Sequence, residues 1–163
     1  MLEIAIDACV FVHLLNIKEK NPDGHIDSLL NYLLKEGYML LVDSTGKVAK
    51  DYQSQVIPMI KGGYEEGNQR IILTGWMRQE RRKKVDLDPT DPLMTAIKRV
   101  ILEVDEHADR AFVYVACKND ADLITNDEEH IWNRRTEIMK KTKRFRGKNT
   151  EIVTSREAYE RIA

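Results

Sequence analysis

Four aspartates stand far apart in the chain at positions from which their carboxylates can converge. They are Asp7, Asp51, Asp109 and Asp127. Asp7 follows an apolar segment typical of a buried strand, residues 2–6, and Asp127 follows a second such segment, residues 123–125. Right-handed crossovers favour parallel pairing of such strands, and parallel strands end at the same edge of a sheet. Asp51, about one turn into a predicted helix, and Asp109, at the head of another, belong near that edge.

Carboxylates that converge repel one another, and this raises their pKa values unless a cation joins them. Oxygen ligands without His or Cys select hard cations, so we expect Mg²⁺ or Mn²⁺. The four histidines are dispersed along the sequence and form no zinc pattern with the cysteines. One or two divalent ions in such a site activate water, neutralise a phosphate and stabilise the leaving oxygen. The predicted chemistry is therefore phosphodiester hydrolysis, and no Ser, Cys or His nucleophile triad competes with it.

Alternating strands and helices must position these acids. The predicted strands are residues 2–6, 38–42, 123–125 and 151–153. The predicted helices are residues 8–15, 25–35, 47–60, 64–77, 93–104, 109–116, 131–141 and 155–163. The segment 78–92 reads as a loop. This alternation predicts a three-layer α/β/α fold with a central, mainly parallel sheet covered on both faces.

The size and composition indicate one soluble globular domain over residues 1–163. Apolar residues make up 42% of the chain and charged residues 33%, and no apolar run is long enough to span a bilayer. No secretory signal is evident at the N-terminus. Cys9 and Cys117 lie in apolar surroundings, where free thiols in a reducing compartment are the expected state. We therefore expect a cytoplasmic protein that does not enter a membrane.

The net charge of −1 conceals a segregation of signs. Residues 134–148, RRTEIMKKTKRFRGK, contain one acid, and residues 78–84 form a second basic run. Such segments supply contacts to a nucleic-acid backbone, and Phe145 between charges permits base stacking. The predicted nucleic-acid-binding residues are Arg134, Arg135, Lys140, Lys141, Lys143, Arg144 and Arg146.

Four pieces of the sequence together resemble the PIN domain family of metal-dependent nucleases. They are IAIDACVFV around Asp7, VDSTGKVAKDY around Asp51, ADRAFVYVA around Asp109 and ADLITND around Asp127. The last two pieces are the most specific. The resemblance implies helices around a parallel sheet, an acidic pocket that binds Mg²⁺ or Mn²⁺, and cleavage of single-stranded RNA, with DNA left open as a substrate.

The resemblance also assigns supporting residues. Thr125 matches a hydroxyl that helps orient the site in the family, and Thr125 and Asn126 would orient Asp127. Asp51 stands where family members often carry Glu, so its shorter side chain would reach a metal through water. Cys9 stands where they often carry Asn or Ser. Members of the family often dimerise, so a homodimer is an expected assembly.

Several other interpretations stay open. Within the same chemistry, the chain fits the toxin of a toxin–antitoxin pair whose partner peptide blocks the acidic groove. A catalytically inactive nucleic-acid-binding module is an alternative of a different class. A receiver-type phospho-acceptor domain would carry an acidic pair after the first strand, and Ala8 and Cys9 offer none. Taken alone, Asp127 is also explained as a helix N-cap and Asp109 as an acid of a first turn.

Overall fold

A computed structural model of the chain describes residues 2–16, 18–62, 67–102 and 108–163. Its strands are β1 (Glu3–Ile6), β2 (Met39–Asp43), β3 (Arg82–Val85), β4 (Asp122–Ile124) and β5 (Ile152–Val153). Its α-helices are α1 (Ala8–Leu14), α2 (His25–Lys35), α3 (Lys47–Gln55), α4 (Ile57–Gly62), α5 (Asn68–Met77), α6 (Pro92–Lys98), α7 (Asp109–Lys118), α8 (Arg135–Thr142) and α9 (Ser155–Ile162). None of these helices combines the length and apolar character needed to cross a membrane. The start of the helix predicted over 64–77 lies outside the described residues. The helix predicted over 93–104 ends earlier, at Lys98, and its last two residues lie outside the described ones.

The strands form one sheet in the order β3-β2-β1-β4-β5, and every neighbouring pair is parallel. Ile6 pairs with Ile124 at the carboxyl ends of β1 and β4. The backbone N–H of Asp7 extends this pairing by donating to the carbonyl of Ile124 at 2.9 Å. The prediction that these strands end at one edge is therefore confirmed.

Helices cover the sheet in two layers. In the first, α7 packs on β1, β2 and β4, α3 packs on β2 and α7, and α6 lies between α7 and α8. In the second, α2 packs against α5 and α9, and α9 contacts β5. The predicted three-layer α/β/α fold with a parallel sheet is thus confirmed.

An aromatic cluster under β1 fixes the helices that carry the acids. Phe11 contacts Tyr52 edge-on with ring centroids 5.6 Å apart, and Phe112 lies 5.9 Å from Tyr52 on the other side. All three rings are fully buried. The Tyr52 hydroxyl donates a hydrogen bond to the carbonyl of Ile6, which precedes Asp7. The cluster therefore joins α1, α3 and α7 to the end of β1.

The loop prediction for residues 78–92 is wrong at its start. Residues Gln79–Arg81 form a 3₁₀ turn, and Arg82–Val85 form β3, which pairs with β2 at the edge of the sheet. Lys83 of this strand forms an ion pair with Glu3. Edge strands commonly carry charged residues, which protect them from pairing with other chains. That polarity removes the apolar signal by which a strand is predicted.

Two other predicted helices begin or end differently. The segment 47–60 divides at Val56 into α3 and α4, with Pro58 in the first turn of α4, where its missing N–H is tolerated. No helix begins at Asp127; a turn and a 3₁₀ helix, Trp132–Arg134, precede α8. Two further acids, Asp120 and Asp122, do not lie beside the four predicted acids. Asp122 is the first residue of β4 and Asp120 lies in the turn before it, so both lie at the opposite edge of the sheet.

Candidate metal centre

An open pocket of about 440 Å³ lies at the carboxyl edge of the sheet. It is lined by all four predicted acids, which four different elements of the chain contribute. The lining residues are Asp7, Cys9, His13, Lys20, Asp51, Gln55, Asp109, Asn126, Asp127, Glu128, Glu129 and His130. Six of these side chains are carboxylic acids, so the pocket is strongly acidic. The structure thus brings together acids that are far apart in the sequence, such as Asp7 and Asp127, which are 120 positions apart.

Asp7 is the most deeply placed of these acids, with 5% of its surface exposed. One carboxylate oxygen caps α1 by accepting from the backbone N–H of Cys9 at 3.3 Å. The other accepts a hydrogen bond from the Thr125 hydroxyl at 2.8 Å. Burial raises the pKa of Asp7 to about 7, the Thr125 hydrogen bond opposes this rise, and the charges of Asp109 and Asp127 add to it. A buried carboxyl held in one orientation beside other acids is a strong candidate ligand for a cation.

Asp109 and Asp127 meet at His130. The Nδ1 atom of His130 lies 3.3 Å from Oδ2 of Asp127 and 3.5 Å from Oδ2 of Asp109. Partial burial acts to lower the pKa of His130, but the charges of Asp127 and Asp109 outweigh it and raise that pKa. The imidazole of His130 thus lies between the two carboxylates, where a nitrogen atom and two carboxylate oxygens can converge on one cation.

Asp127 caps a local turn. Its Oδ1 accepts from the backbone N–H of His130 at 3.0 Å. Its own backbone N–H donates to the Thr125 hydroxyl at 3.1 Å. These bonds fix both His130 and Asp127, so the capping interpretation holds for a turn and not for a helix start.

Asp51 lies in the second turn of α3 and reaches the pocket from its rim. The Gln55 side-chain amide donates to its Oδ1 at 2.5 Å. Its place in the lining agrees with the prediction from sequence, and a role in binding a metal stays a prediction.

Thr125 and Asn126 orient different parts of the site. The fully buried Thr125 hydroxyl connects Asp7 to the backbone of Asp127. Asn126 instead directs its side chain toward Ser155 and His13. The predicted orienting role of Thr125 is thus consistent with its contacts, whereas Asn126 contacts a histidine of the pocket wall.

The predicted nucleic-acid-binding residues divide into exposed and internally bonded cations. Arg146 donates to Thr142, to the carbonyl of Gly147 and to the carbonyl of Met139, and thereby ties the end of α8. Arg134 donates to the carbonyl of Val100 at 3.2 Å. The guanidinium of Arg135 stacks 3.4 Å above the ring of Trp132. The exposed members of the set are Lys140, Lys141, Lys143 and Arg144.

The donor set fits a divalent cation, with one change from the sequence prediction. Ligand atoms of Asp109, Asp127 and His130 lie within 4.8 Å of one another, so an imidazole nitrogen joins the carboxylate oxygens. His130 is not among the predicted ligands, because the four histidines are dispersed along the sequence. The sequence signal that could have identified His130 as a ligand is its position three residues after Asp127, across a turn. Imidazole together with carboxylate suits Mn²⁺ better than Mg²⁺.

Comparisons with known proteins leave the family of the chain open. No protein-family model matches it, and no curated protein sequence matches it. Among solved structures, it is similar to VapBC2 from Rickettsia felis bound to a DNA fragment from their promoter. The two chains are 13% identical, the match covers 94% of this chain and 98% of the other, and the TM-score is 0.45. A similarity of this size carries no function from that protein to this one.

Proposed function

We propose that this protein is a divalent-metal-dependent nuclease that hydrolyses phosphodiester bonds of single-stranded RNA. The observation that carries the proposal is the meeting of Asp7, Asp51, Asp109 and Asp127 in one open pocket at the carboxyl edge of the sheet. Asp7 follows β1, Asp51 lies in α3, Asp109 begins α7 and Asp127 follows β4. No single helix cap or turn therefore explains their convergence. The resemblance of the surrounding sequence to the PIN domain family points to the same chemistry.

The chain's own residues would do three things. Asp109, Asp127 and His130, with Asp7 below them, would hold one or two cations, and Asp51 would complete the site from the rim. Bound there, the cation would supply a hydroxide at neutral pH and neutralise charge on the phosphate. Thr125 would keep the Asp7 carboxylate in one orientation through its hydrogen bond, which avoids reorganisation on binding.

The exposed cations near α8 support nucleic acid as the substrate. Lys140, Lys141, Lys143 and Arg144 are exposed on α8 and in the turn that follows it. Phe145 is 41% exposed beside Arg144, whose guanidinium carbon lies 6.0 Å from the ring centroid. Cations with an interleaved aromatic ring suit a single strand, whose phosphates and bases are both accessible.

The test compares the wild type with Asp7→Asn on end-labelled single-stranded RNA, with Mn²⁺, with Mg²⁺ and with a chelator. The wild type is expected to cleave only with metal. Asp7→Asn is expected to lose at least about 100-fold in rate, because even an outer contact of a metal site is commonly worth 10–100-fold. Glu160→Gln, an exposed acid on α9, is the matched control and should keep its activity. Full activity of folded Asp7→Asn would disprove the proposed site.

Mn²⁺ binding separates this proposal from an inactive nucleic-acid-binding module. Calorimetry should detect Mn²⁺ binding to the wild type and much weaker binding to Asp7→Asn. Absence of heat and of any thermal shift with the wild type would favour the inactive module. A toxin of a toxin–antitoxin pair would share the proposed chemistry, and a neighbouring gene encoding an inhibitory partner would favour it.

A further inference from the structure

A chain of hydrogen bonds runs from the surface to the wall of the acidic pocket. It starts at Asp23, whose Oδ1 lies 2.9 Å from Nδ1 of His25, and continues from Nε2 of His25 to the Ser155 hydroxyl at 3.1 Å. From there it passes through the Asn126 amide, 2.9 Å from Ser155, to Nδ1 of His13 at 3.1 Å. It joins residues from three regions of the sequence and ends at a residue that lines the pocket.

The first three members have the order of an acid–histidine–serine triad, but they cannot serve as one. Ser155 is 3% exposed and His25 is 4% exposed. A substrate therefore has no access to the hydroxyl, and the triad arrangement serves to connect buried polar groups. The functional importance of this series of hydrogen bonds lies in its effect on His13, the residue at its other end.

Two groups set the direction of these hydrogen bonds, the backbone N–H of Ser155 at one end of Asn126 and the Asp23 carboxylate beside His25. The backbone N–H of Ser155 donates to Oδ1 of Asn126 at 3.0 Å, so the other end of that amide is the NH₂ group. This NH₂ donates to both the Ser155 hydroxyl and Nδ1 of His13. The Ser155 hydroxyl in turn donates to Nε2 of His25, and Nδ1–H of His25 donates to Asp23, whose carboxylate only accepts.

The consequence falls on His13. Because its Nδ1 accepts from Asn126, the ring hydrogen lies on Nε2, and the ring is neutral with one N–H donor. Burial, and secondly the charge of Lys20, lower the pKa of His13 in agreement with a neutral ring. Lys20 lines the same pocket. One part of the wall thus offers an N–H and an ammonium group, in a pocket that otherwise holds six carboxylic acids.

We propose that Nε2–H of His13 and the ammonium of Lys20 bind non-bridging oxygens of the nucleic-acid phosphate in the acidic pocket, with Asn126 as the positioning residue that fixes the His13 tautomer. This inference rests on the proposed function and adds the groups that hold the substrate. A phosphate enters an acidic pocket against repulsion, and hydrogen-bond donors beside the metal ligands offset that repulsion. A neutral imidazole donates without adding a charge that would compete with the metal cation.

The tautomer is tested directly by long-range ¹H–¹⁵N NMR of the histidine rings in the wild type, with His13→Gln used for assignment. The expected result is a hydrogen on Nε2 of His13 and a bare Nδ1. Asn126→Asp replaces the donating NH₂ with an acceptor and should move the hydrogen to Nδ1. A hydrogen on Nδ1 in the wild type would overturn the inference regardless of any enzymatic activity.

The binding role is tested with His13→Leu and His13→Gln. Loss of a hydrogen bond to a charged group should raise KM for single-stranded RNA by roughly 10-fold or more in His13→Leu. His13→Gln retains an N–H at a similar reach and should recover part of that loss. The affinity of both variants for Mn²⁺, measured by calorimetry, should equal that of the wild type. Equal KM values in His13→Leu and the wild type would contradict the role.

Lys20→Met is compared with Lys18→Met, since Lys18 is exposed in the same turn and does not line the pocket. Only Lys20→Met should raise KM.

Binding of a fluorescent RNA strand in Ca²⁺ is measured in parallel by anisotropy. If the wild type binds but does not cleave, the nuclease proposal fails and the anisotropy of the His13 and Lys20 variants still decides this inference. If the wild type neither binds nor cleaves, both are overturned.

Discussion

At the scale of single residues, the burial of Asp7 opposes the ionisation of its carboxyl group. The folded state places a carboxyl at 5% exposure beside two other acids, and its pKa rises to about 7 as a result. Without a cation, ionisation of this group opposes folding. A site built to bind a cation therefore weakens the metal-free protein.

The first prediction is that Asp7→Asn stabilises the metal-free protein at about pH 8. The pKa of Asp7 in the folded state, about 7, lies above the ordinary aspartate value of 3.8. Its contribution to stability is therefore complete below the lower value and is lost as the pH rises through the higher one. A difference of this size corresponds to at most about 4 kcal/mol. Urea denaturation with a chelator should show the variant more stable at about pH 8, with no gain at about pH 4.

When urea denaturation is repeated with Mn²⁺, the wild type should be more stable than Asp7→Asn. The cation stabilises the wild type by binding its folded state and should stabilise the variant much less. A variant less stable than the wild type at about pH 8 in the chelator would contradict the account given for Asp7.

His130 is the second residue whose environment decides its role. Its Nδ1 lies within 3.5 Å of oxygens of both Asp109 and Asp127.

The second prediction is that His130→Ala lowers the affinity for Mn²⁺ by at least about 10-fold and the affinity for Mg²⁺ by less, because an imidazole nitrogen suits the softer ion. Calorimetry with each ion measures both. Glu160→Gln is the control, because Glu160 is exposed. His25→Ala would not serve, because His25 is buried. Equal losses for the two ions would exclude His130 as a ligand.

At the scale of elements, the connection between α8 and β5 depends on a close approach between Gly147 and Asp120. A Cβ atom on Gly147 would lie 2.1 Å from Cγ of Asp120. Asp120 itself has a φ of 52° and accepts from the backbone N–H groups of Asn149 and Thr150. These contacts hold the chain as it enters β5.

The third prediction is that Gly147→Ala destabilises the protein by about 1–3 kcal/mol, since the methyl group displaces Asp120 from its hydrogen bonds. Chemical denaturation measures this loss, and the neighbouring exposed Lys148→Ala is the control. Because Asp120 belongs to the edge of the sheet opposite the acids, the Mn²⁺ affinity of folded Gly147→Ala should stay unchanged. A stability equal to that of the wild type would show that the loop relaxes around the methyl group.

The edge strand β3 shows the limit of prediction at this scale. Periodicity predicted the other four strands because their apolar residues are buried. In β3 only Val85 is buried, and Lys83 forms its ion pair with Glu3 of β1. A strand held by backbone pairing and by a partner far away in the sequence leaves no local pattern.

At the scale of the whole molecule, opposite charges occupy separate surfaces. The acids converge at the carboxyl edge of the sheet, and exposed cations follow along and beyond α8. Such a segregation of charge is consistent with the proposed nucleic-acid substrate.

The fourth prediction concerns this cationic surface. Replacing Lys140, Lys141, Lys143 and Arg144 with Gln should weaken binding of single-stranded RNA. It should also reduce the slope of log affinity against log salt concentration by about 0.7 for each phosphate contact removed. Anisotropy titrations over a range of salt concentrations measure both effects. Lys35→Gln, an exposed lysine on α2, is the control. An unchanged salt slope in the quadruple variant would place the nucleic acid on another surface.

The sequence by itself determined the alternation of strands and helices, their parallel arrangement, and the edge at which the four acids would meet. It could do so because apolar periodicity reports local burial, and because strand direction then fixes which ends coincide. The positions of Asp7 and Asp127 follow from those two facts alone.

The tertiary structure decided which groups share the site with those acids. It placed His130 between Asp109 and Asp127, connected Asn126 to His13, and committed Arg146 to the end of α8 instead of the surface. It also placed Asp120 and Asp122 at the opposite edge of the sheet. Side-chain partners of this kind depend on rotamers and on contacts between residues far apart in sequence, and no local pattern of residue types encodes them.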